Sequence, residues 1–230
     1  VSPTRALESA LAASHGLVAG IDEVGRGALA GPVSVGVCVI GPDTGPAPVG
    51  LRDSKQLRPA ARAALCGPVR AWTLASAVGH AWPTEIDQVG IVGALRLAAL
   101  RALASLPPTA RPGYVLLDGV HDWLASPSDL FAADAAERLC QESTGRAPHE
   151  ILTAPVRTVV KGDDSVSVIA AASVLAKVER DELMARQSDP GYGWAHNKGY
   201  TAPAHVAGLR RLGPSQFHRR SWRLPGVGGA

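Results

Sequence analysis

The stretch Val18-Ala-Gly-Ile-Asp22-Glu23-Val-Gly25-Arg26-Gly27-Ala-Leu-Ala-Gly31-Pro32 decides how the rest of the chain is to be read. An apolar run, Leu17 to Ile21, ends in two adjacent carboxylates, and glycines follow at positions 25, 27 and 31. This spacing predicts a buried strand that delivers two acids to a turn whose backbone can approach something closely. Adjacent acids at a strand end repel, so they need a cation or an exposed site. As a plain surface turn, Asp22 would satisfy a loop amide and Glu23 would be solvated. The glycines are one residue out of register with the dinucleotide-binding pattern, and two acids in front of a phosphate cradle oppose phosphate binding. Arg26 lies between two glycines, where main-chain groups on either side can reach a ligand. A metal coming first and a sugar-phosphate second reconciles these features.

Outward from this stretch, Val33-Ser-Val-Gly-Val-Cys-Val-Ile40 alternates at period two and predicts a second strand, antiparallel to the first. The Gly/Pro-rich piece from Gly41 to Gly50 predicts a loop. Pro59 to Cys66 predicts a short helix stopped by Gly67, and Val69 to Val78 a third strand. Thr84 is placed to cap a long helix running to Leu106, with Ile91, Leu95, Ala98 and Ala102 on one face and burial expected on more than one side. Tyr114 to Leu117 and Val156 to Val160 predict strands that end beside acids, with an Ala-rich helix near Ser128 to Cys140 between them. A helix from Ser165 to about Arg186 follows, with small residues at Ala170-Ala-Ala-Ser173 that let it lie close on a sheet. Pro190-Gly-Tyr-Gly193 breaks the pattern, and Pro203 to Leu212 resumes as helix before Gly213-Pro214. Strands alternating with helices after an opening hairpin indicate a mixed α/β sandwich.

At 230 residues the chain suits one domain with a sizeable core. It lacks an uncharged apolar run of ~18 residues that would span a bilayer, and no secretory leader is expected from its first residues. Cys38, Cys66 and Cys140 are odd in number and far apart, which argues against a zinc site or a disulfide framework. A reducing cytoplasm is the expected compartment. The net charge of +3 identifies no partner, but its distribution is uneven. Beyond Asp189 there is no acid, while Lys198, Arg210, Arg211, Arg219, Arg220 and Arg223 supply all the charge; up to Asp189 there are 17 basic and 20 acidic residues. An acid-lined site and a basic tail suit a metal-using enzyme that grips a polyanion, although a solvated basic terminus would give the same count.

Four carboxylates recur where strands end or a helix begins: Asp22, Glu23, Asp118 and Asp163. Singly each has a plain alternative, since Asp118-Gly119 is a turn signal and Asp163 or Asp164 can cap the next helix. Together they fit one cluster, because central strands of such a sandwich finish near one another. Clustered carboxylates select Mg²⁺ or Mn²⁺ over zinc, and ions held roughly 3.5 to 4 Å apart suit in-line attack on a phosphodiester. No histidine is needed, and His80, His149 and His205 are expected at the surface. Ser173, Lys177 and Arg180 share a helix face, from which the two cations can reach phosphates or pair with Glu179 or Asp181. Ser54 and Lys55 are either a helix-entry turn or phosphate contacts.

Asp22-Glu23-Val-Gly-Arg-Gly followed by Ala-Gly-Pro resembles the opening motif of ribonuclease HII, the bacterial type 2 ribonuclease H family. The resemblance continues through Leu51-Arg-Asp-Ser-Lys-Gln-Leu57, Ile86-Asp87, Leu117-Asp118-Gly119, Lys161-Gly-Asp163, Ile169 to Asp181, Gly191-Tyr-Gly193, Lys198-Gly-Tyr200 and Gly213-Pro-Ser with His218-Arg219. It implies a ribonuclease H-like α/β fold, a mixed sheet flanked by helices. On this reading residues 1–190 form the catalytic core, with an extra segment at about 120–155, and residues 191–230 a basic helical segment packed on the same domain. The resemblance further implies that Asp22, Glu23, Asp118 and Asp163 hold two divalent ions, Mg²⁺ or Mn²⁺. Gly25, Arg26 and Gly27 would meet the ribose 2′-hydroxyl, Tyr200 would stack at the ribonucleotide, and Ser54, Lys55, Ser173, Lys177 and Arg180 would contact the substrate. The implied enzyme is a monomer that acts on RNA/DNA hybrids and on ribonucleotides embedded in duplex DNA, with no membrane partner. Two departures stand out: the stretch between Gly119 and Lys161 is longer than the family leads one to expect, and Asn197 occupies a position where histidine is expected; Asp164 beside Asp163 also leaves the fourth ligand open to substitution by its neighbour. Rival readings are another metal nuclease of similar fold, such as a junction resolvase, and a catalytically silent nucleic-acid-binding module.

Overall fold

The computed structural model describes residues 2–125 and 130–227, residues 130–133 in their backbone alone. A five-stranded sheet in the order β3-β2-β1-β4-β5 forms its centre. The strands are β1 (Val18–Val24), β2 (Val33–Ile40), β3 (Ala75–Ala81), β4 (Tyr114–Asp118) and β5 (Val156–Val159). β1, β2 and β3 run antiparallel, whereas β1–β4 and β4–β5 are parallel. The helices are α1 (Ala6–His15), α2 (Pro59–Trp72), α3 (Pro83–Ala104), α4 (Leu130–Thr144), α5 (Pro148–Ile151), α6 (Gly162–Ser165), α7 (Ser167–Arg186), α8 (Trp194–Asn197) and α9 (Pro203–Leu212). Among the described residues no helix is long and apolar enough to cross a membrane.

Two cores follow from the period-two alternation of the strands. Ala19, Ile21, Val33, Val35, Val37, Val39, Val115 and Leu117 pack against the α3 residues Leu95, Ala98 and Ala102. Val18, Cys38, Ile40 and Leu116 face the other way, onto Val168, Ile169, Ala172 and Leu175 of α7. Contact on that face is backbone to backbone. A Cβ on Gly20 would sit 2.5 Å from the Val168 carbonyl carbon, and one on Gly36 would sit 2.3 Å from the Ala172 oxygen. The small residues 170–173 therefore do what their size predicts, bringing α7 down onto β1 and β2.

Several elements depart from their predicted bounds. α2 runs through Gly67 and Pro68 to Trp72, so the third strand starts at Ala75 and not at Val69. Leu65, Cys66 and Val69 form one buried helical stripe in the α7-side core, and that burial outweighs two helix-breaking residues. α3 starts at Pro83, with Thr84 inside it; the Glu85 carboxylate accepts the Trp82 N–H at 2.7 Å, and Gly90 at φ 69° kinks the helix. α4 begins at Leu130, and the predicted start near Ser128 lies outside the described residues. Helix α1 has no counterpart in the predicted elements. It docks through buried Glu8, whose carboxylate accepts the Val168 N–H at 2.7 Å at the start of α7.

The segment after Asp189 closes over one end of the sheet. Leu29, Ala30, Met184, Tyr192, Trp194 and Leu209 form a third cluster of buried residues there. Asp87 of α3 accepts the Arg220 and Ser221 N–H groups, both at 3.0 Å, which fastens the far end of the segment.

Candidate active site

Parallel pairing of β1 with β4 places Ile21 opposite Leu117, so Asp22 and Asp118 emerge side by side as the strands end. Both belong to the alternating set that faces α7. Beyond β5, Lys161 adopts a left-handed conformation at φ 53°, and this turns the chain back toward β4. The Asp118 carboxylate then accepts the Gly162 N–H at 2.7 Å and the Asp163 N–H at 3.4 Å. Asp163 is thereby held beside Asp118. Glu23 alternates to the opposite side of Asp22 and lies 3.5 Å from the Arg26 guanidinium.

A cleft of about 400 Å³ opens here, lined by Asp22, Glu23, Val24, Gly25, Arg26, Gly27, Ser54, Lys55, Asp118, Lys177 and Tyr200. Asp22 is only 3% exposed. Burial pushes its carboxyl well above the usual range; the Ser173 hydroxyl beside it works against this, and the charges of Asp118 and Glu23 add to it. Burial also raises Glu23, against the pull of Arg26, with Asp118 adding to the rise. Asp118 is raised by burial and by the charge of Asp163, against the amides of Gly162 and Asp163. Negative charge is therefore in excess. The nearest counter-charge is Lys55, whose ammonium lies 2.9 Å from Asp163 and 3.8 Å from Asp53. Burial works against that ammonium, but the hydrogen bond and charge of Asp163 more than offset it and hold the lysine protonated above its ordinary range.

As the side chains stand, no three carboxylate, imidazole or thiol groups among the described residues are gathered closely enough to enclose a metal ion. Glu23 leans to Arg26 and Asp163 to Lys55. The donor set still fits a hard cation by its chemistry: all its ligating atoms are carboxylate oxygens, and three of the carboxyls are held above their usual range, partly by one another's charge. A divalent ion would relieve that repulsion and displace Lys55 from Asp163. Asp164 is turned out of the cleft and accepts a hydrogen bond from the Gln56 side chain.

The Gly25-Arg26-Gly27 turn forms the opposite wall. Gly25 donates its N–H to the Tyr200 hydroxyl at 3.0 Å. The Tyr200 ring is backed by Arg180, 5.2 Å from the ring centre, with the Lys177 ammonium at 5.7 Å. Asn197 shapes this loop: its side chain donates to the Tyr192 carbonyl and accepts from Gly199, and its carbonyl accepts the Tyr200 N–H at 2.9 Å. The residue at this position thus holds Tyr200 through local hydrogen bonds and does not itself line the cleft.

Ser54 lines the cleft and shares a buried hydrogen bond of 2.9 Å with Ser173, which does not itself line it, and Lys177 lines the cleft while paired with Asp181 at 2.7 Å. Arg180 is not placed to contact the substrate as expected. It shares the predicted face of α7, but it is fully buried and donates to the carbonyls of Pro32, Lys198 and Ala30. A guanidinium so engaged supports the loops around Tyr200 instead of reaching a phosphate. The surface placement expected of two histidines also fails. His205 is buried and its Nε2 lies 3.0 Å from Nε2 of buried His218, while its Nδ1 lies 2.9 Å from the Tyr200 carbonyl. His80 is half-buried between Ser34 at 2.7 Å and Glu179 at 3.1 Å; His149 is exposed. Among the residues that sequence reasoning did not assign to the site are Asp53, whose carboxylate caps the turn carrying Ser54 and Lys55, and Arg219, which the sequence marks by its place in the basic tail and in the His218-Arg219 pair without a role in the site.

The ribonuclease HII family profile matches residues 19–224. The ribonuclease HII of Streptomyces avermitilis is 44% identical over 224 residues, covering 96% of this chain and 83% of that protein. Among solved structures, ribonuclease H2 from Pyrococcus horikoshii superposes with a TM-score of 0.59 at 26% identity, covering 90% of this chain and 94% of that one. Bst-RNase HIII, solved in complex with Mn²⁺, superposes with a TM-score of 0.54 at 18% identity over 93% of this chain and 70% of its own, a likeness of fold alone. With the profile spanning nearly the whole sheet and the cleft, and a relative this similar over almost all of the sequence, the chain belongs to the ribonuclease HII family and is a type 2 ribonuclease H, an endonuclease of RNA strands.

Proposed function

We propose that the protein hydrolyses the RNA strand of RNA/DNA hybrids and cuts on the 5′ side of ribonucleotides embedded in duplex DNA, leaving 3′-hydroxyl and 5′-phosphate ends. One observation carries the reading: Asp22, Glu23 and Asp118 line the same cleft as the Gly25-Arg26-Gly27 turn and Tyr200, with Asp163 held beside Asp118, so carboxylates and a backbone able to meet a ribose share one cleft. Asp22, Glu23, Asp118 and Asp163 would hold two Mg²⁺ or Mn²⁺ ions, which when bound activate the attacking water and stabilise the departing oxygen. Tyr200, braced by Arg180 and by its bond to Gly25, presents a fixed ring to sugar or base. Ser54, Lys55 and Lys177 stand where the scissile strand would pass, and the exposed Arg210, Arg211, Arg220 and Arg223 supply charge for the flanking duplex.

Cleavage mapping tests this reading. A duplex with one central ribonucleotide, a full RNA/DNA hybrid, an all-DNA duplex and an all-DNA branched junction are incubated with the protein and Mg²⁺. The expected result is a single cut 5′ of the lone ribonucleotide, distributed cuts in the hybrid and an intact DNA control. All-DNA branched substrate cut as readily as hybrid would replace this reading with that of a junction nuclease, and no Mg²⁺-dependent cut in any substrate would remove the catalytic reading altogether.

A further inference from the structure

Two arginines lie behind the Gly25-Arg26-Gly27 turn, and neither is spent on an acid. Arg180 and Arg219 are both 0% exposed. Among the described residues neither forms an ion pair. A buried cation without a counter-charge is costly, so the groups that receive it have a large hold on it. Arg219 Nη2 donates to the Gly25 carbonyl at 2.6 Å and Nη1 to the Arg26 carbonyl at 2.8 Å, with the Gly31 carbonyl at 3.2 Å from Nη2. Its guanidinium lies 4.7 Å from the Trp222 ring centre, and its own N–H is held by the Leu29 carbonyl at 3.0 Å. The side chain is fixed from three sides.

A trans peptide unit is planar, so its N–H points opposite its C=O, and no peptide bond here is cis. With the carbonyls of Gly25 and Arg26 both turned onto Arg219, the N–H groups of Arg26 and Gly27 are turned the other way. Both residues are exposed and both line the cleft. Neither N–H has a hydrogen-bond partner among the described residues, whereas the Gly25 N–H is taken by Tyr200. Two successive free N–H groups on a tight turn form a concavity that receives an oxygen.

We propose that Arg219 is a positioning residue for ribose recognition: its two-pronged grip on the Gly25 and Arg26 carbonyls aims the Arg26 and Gly27 N–H groups at the 2′-oxygen of the ribonucleotide. This rests on the reading of the turn as a 2′-hydroxyl reader. Lysine in its place keeps the charge and loses the planar fork that spans two carbonyls.

The test is Arg219→Lys, assayed on three matched duplexes whose single central nucleotide is ribo, 2′-fluoro or deoxy, alongside a thermal melt. For the parent protein the ribo duplex is expected to be cut and the others spared. For Arg219→Lys, kcat on the ribo duplex is expected to fall by on the order of 100-fold, the scale seen when one preorganised donor is lost. KM should move little and the ribo-over-fluoro preference should shrink. A variant that melts with the parent and keeps both its kcat and its preference overturns the role of Arg219 and leaves ribose recognition by the turn intact. A parent protein that cuts the deoxy duplex as fast as the ribo duplex overturns ribose recognition itself, and the role of Arg219 with it. If Arg219→Lys does not fold, the parent decides: in Ca²⁺, the Arg26 and Gly27 amide resonances are expected to shift with the ribo duplex and not with the all-DNA one, and unmoved amides overturn the proposal.

Discussion

Asp22→Asn is expected to abolish turnover on a single-ribonucleotide duplex while the protein still binds hybrid. The loss should exceed the roughly 100-fold that even outer partners of a metal site produce when removed, because Asp22 is a proposed ligand and is buried at the cleft floor. The same change should raise thermal stability without metal at neutral pH. Burial, with the charges of Asp118 and Glu23, holds the Asp22 carboxyl well above its ordinary value. A carboxyl whose folded pKa is raised favours the fold below its unfolded pKa, and that contribution is lost as pH rises through the folded value. Asparagine has no charge to lose, so the variant's advantage in a melt should grow from acid toward neutral pH and shrink when Mg²⁺ saturates the parent. Metal affinity runs the other way. Ligation needs the carboxylate form, so Mg²⁺ binding should weaken as pH falls and Asp22, Glu23 and Asp118 take up protons. A variant that cuts at the parent rate would remove Asp22 from the chemistry.

Gly25→Ala is expected to be nearly as damaging, for a steric reason. Gly25 sits at φ +84°, and a Cβ there would lie 2.1 Å from Nε of Arg180. That guanidinium is buried and held by three carbonyls, so it has nowhere to go. Either the turn moves off Tyr200 and Arg219 or Arg180 gives up its partners. A strained φ alone costs about 1–3 kcal/mol, and the overlap adds to it, so a clear fall in melting temperature should accompany the loss of cutting. Gly27→Ala is the matched control, since a Cβ there meets nothing within 4 Å. It should melt with the parent, and any loss of cleavage it shows reports a ligand approaching the turn. Equal melting of Gly25→Ala and the parent would mean that the packing of Arg180 under the turn is wrong.

Much of the fold is legible in the chain because the informative segments are self-contained. β2 spans Val33–Ile40 as its period-two pattern predicts, and α9 spans Pro203–Leu212 between a proline that starts it and a glycine that ends it. β4 stops at Asp118 where the apolar run stops. What could not be read depends on contacts between distant segments. Gly67 and Pro68 look like a helix stop until α7 is present to cover Leu65, Cys66 and Val69. The spacing of Ser173, Lys177 and Arg180 gives a shared face but not depth, and depth separates a lysine at the cleft from an arginine buried beneath it. His205 looks like a surface residue until His218 meets it from 13 residues away.

The same distinction applies within the site. Asp22 and Asp118 stand at strand ends that the sequence shows, and the parallel β1–β4 register brings those ends side by side. The tilt of Glu23 toward Arg26 and the bond from Lys55 to Asp163 do not follow, because they depend on how a cluster of like charges settles without a cation. Arg219 was legible as charge and as half of the His218-Arg219 pair, but not as a partner of the turn. Its grip on two carbonyls 193 and 194 residues away appears once the C-terminal segment folds back over the turn.

Residues 22, 23, 118 and 163 are proposed to hold divalent metal together in this cleft. Anomalous diffraction at the manganese edge, from crystals of the protein grown with hybrid and Mn²⁺, measures it directly. Two manganese peaks are expected among these four carboxylates, with the Lys55 ammonium moved off Asp163. Saturating Mn²⁺ that leaves the cleft without a peak, and Lys55 still bonded to Asp163, would rule out metal binding by these four carboxylates.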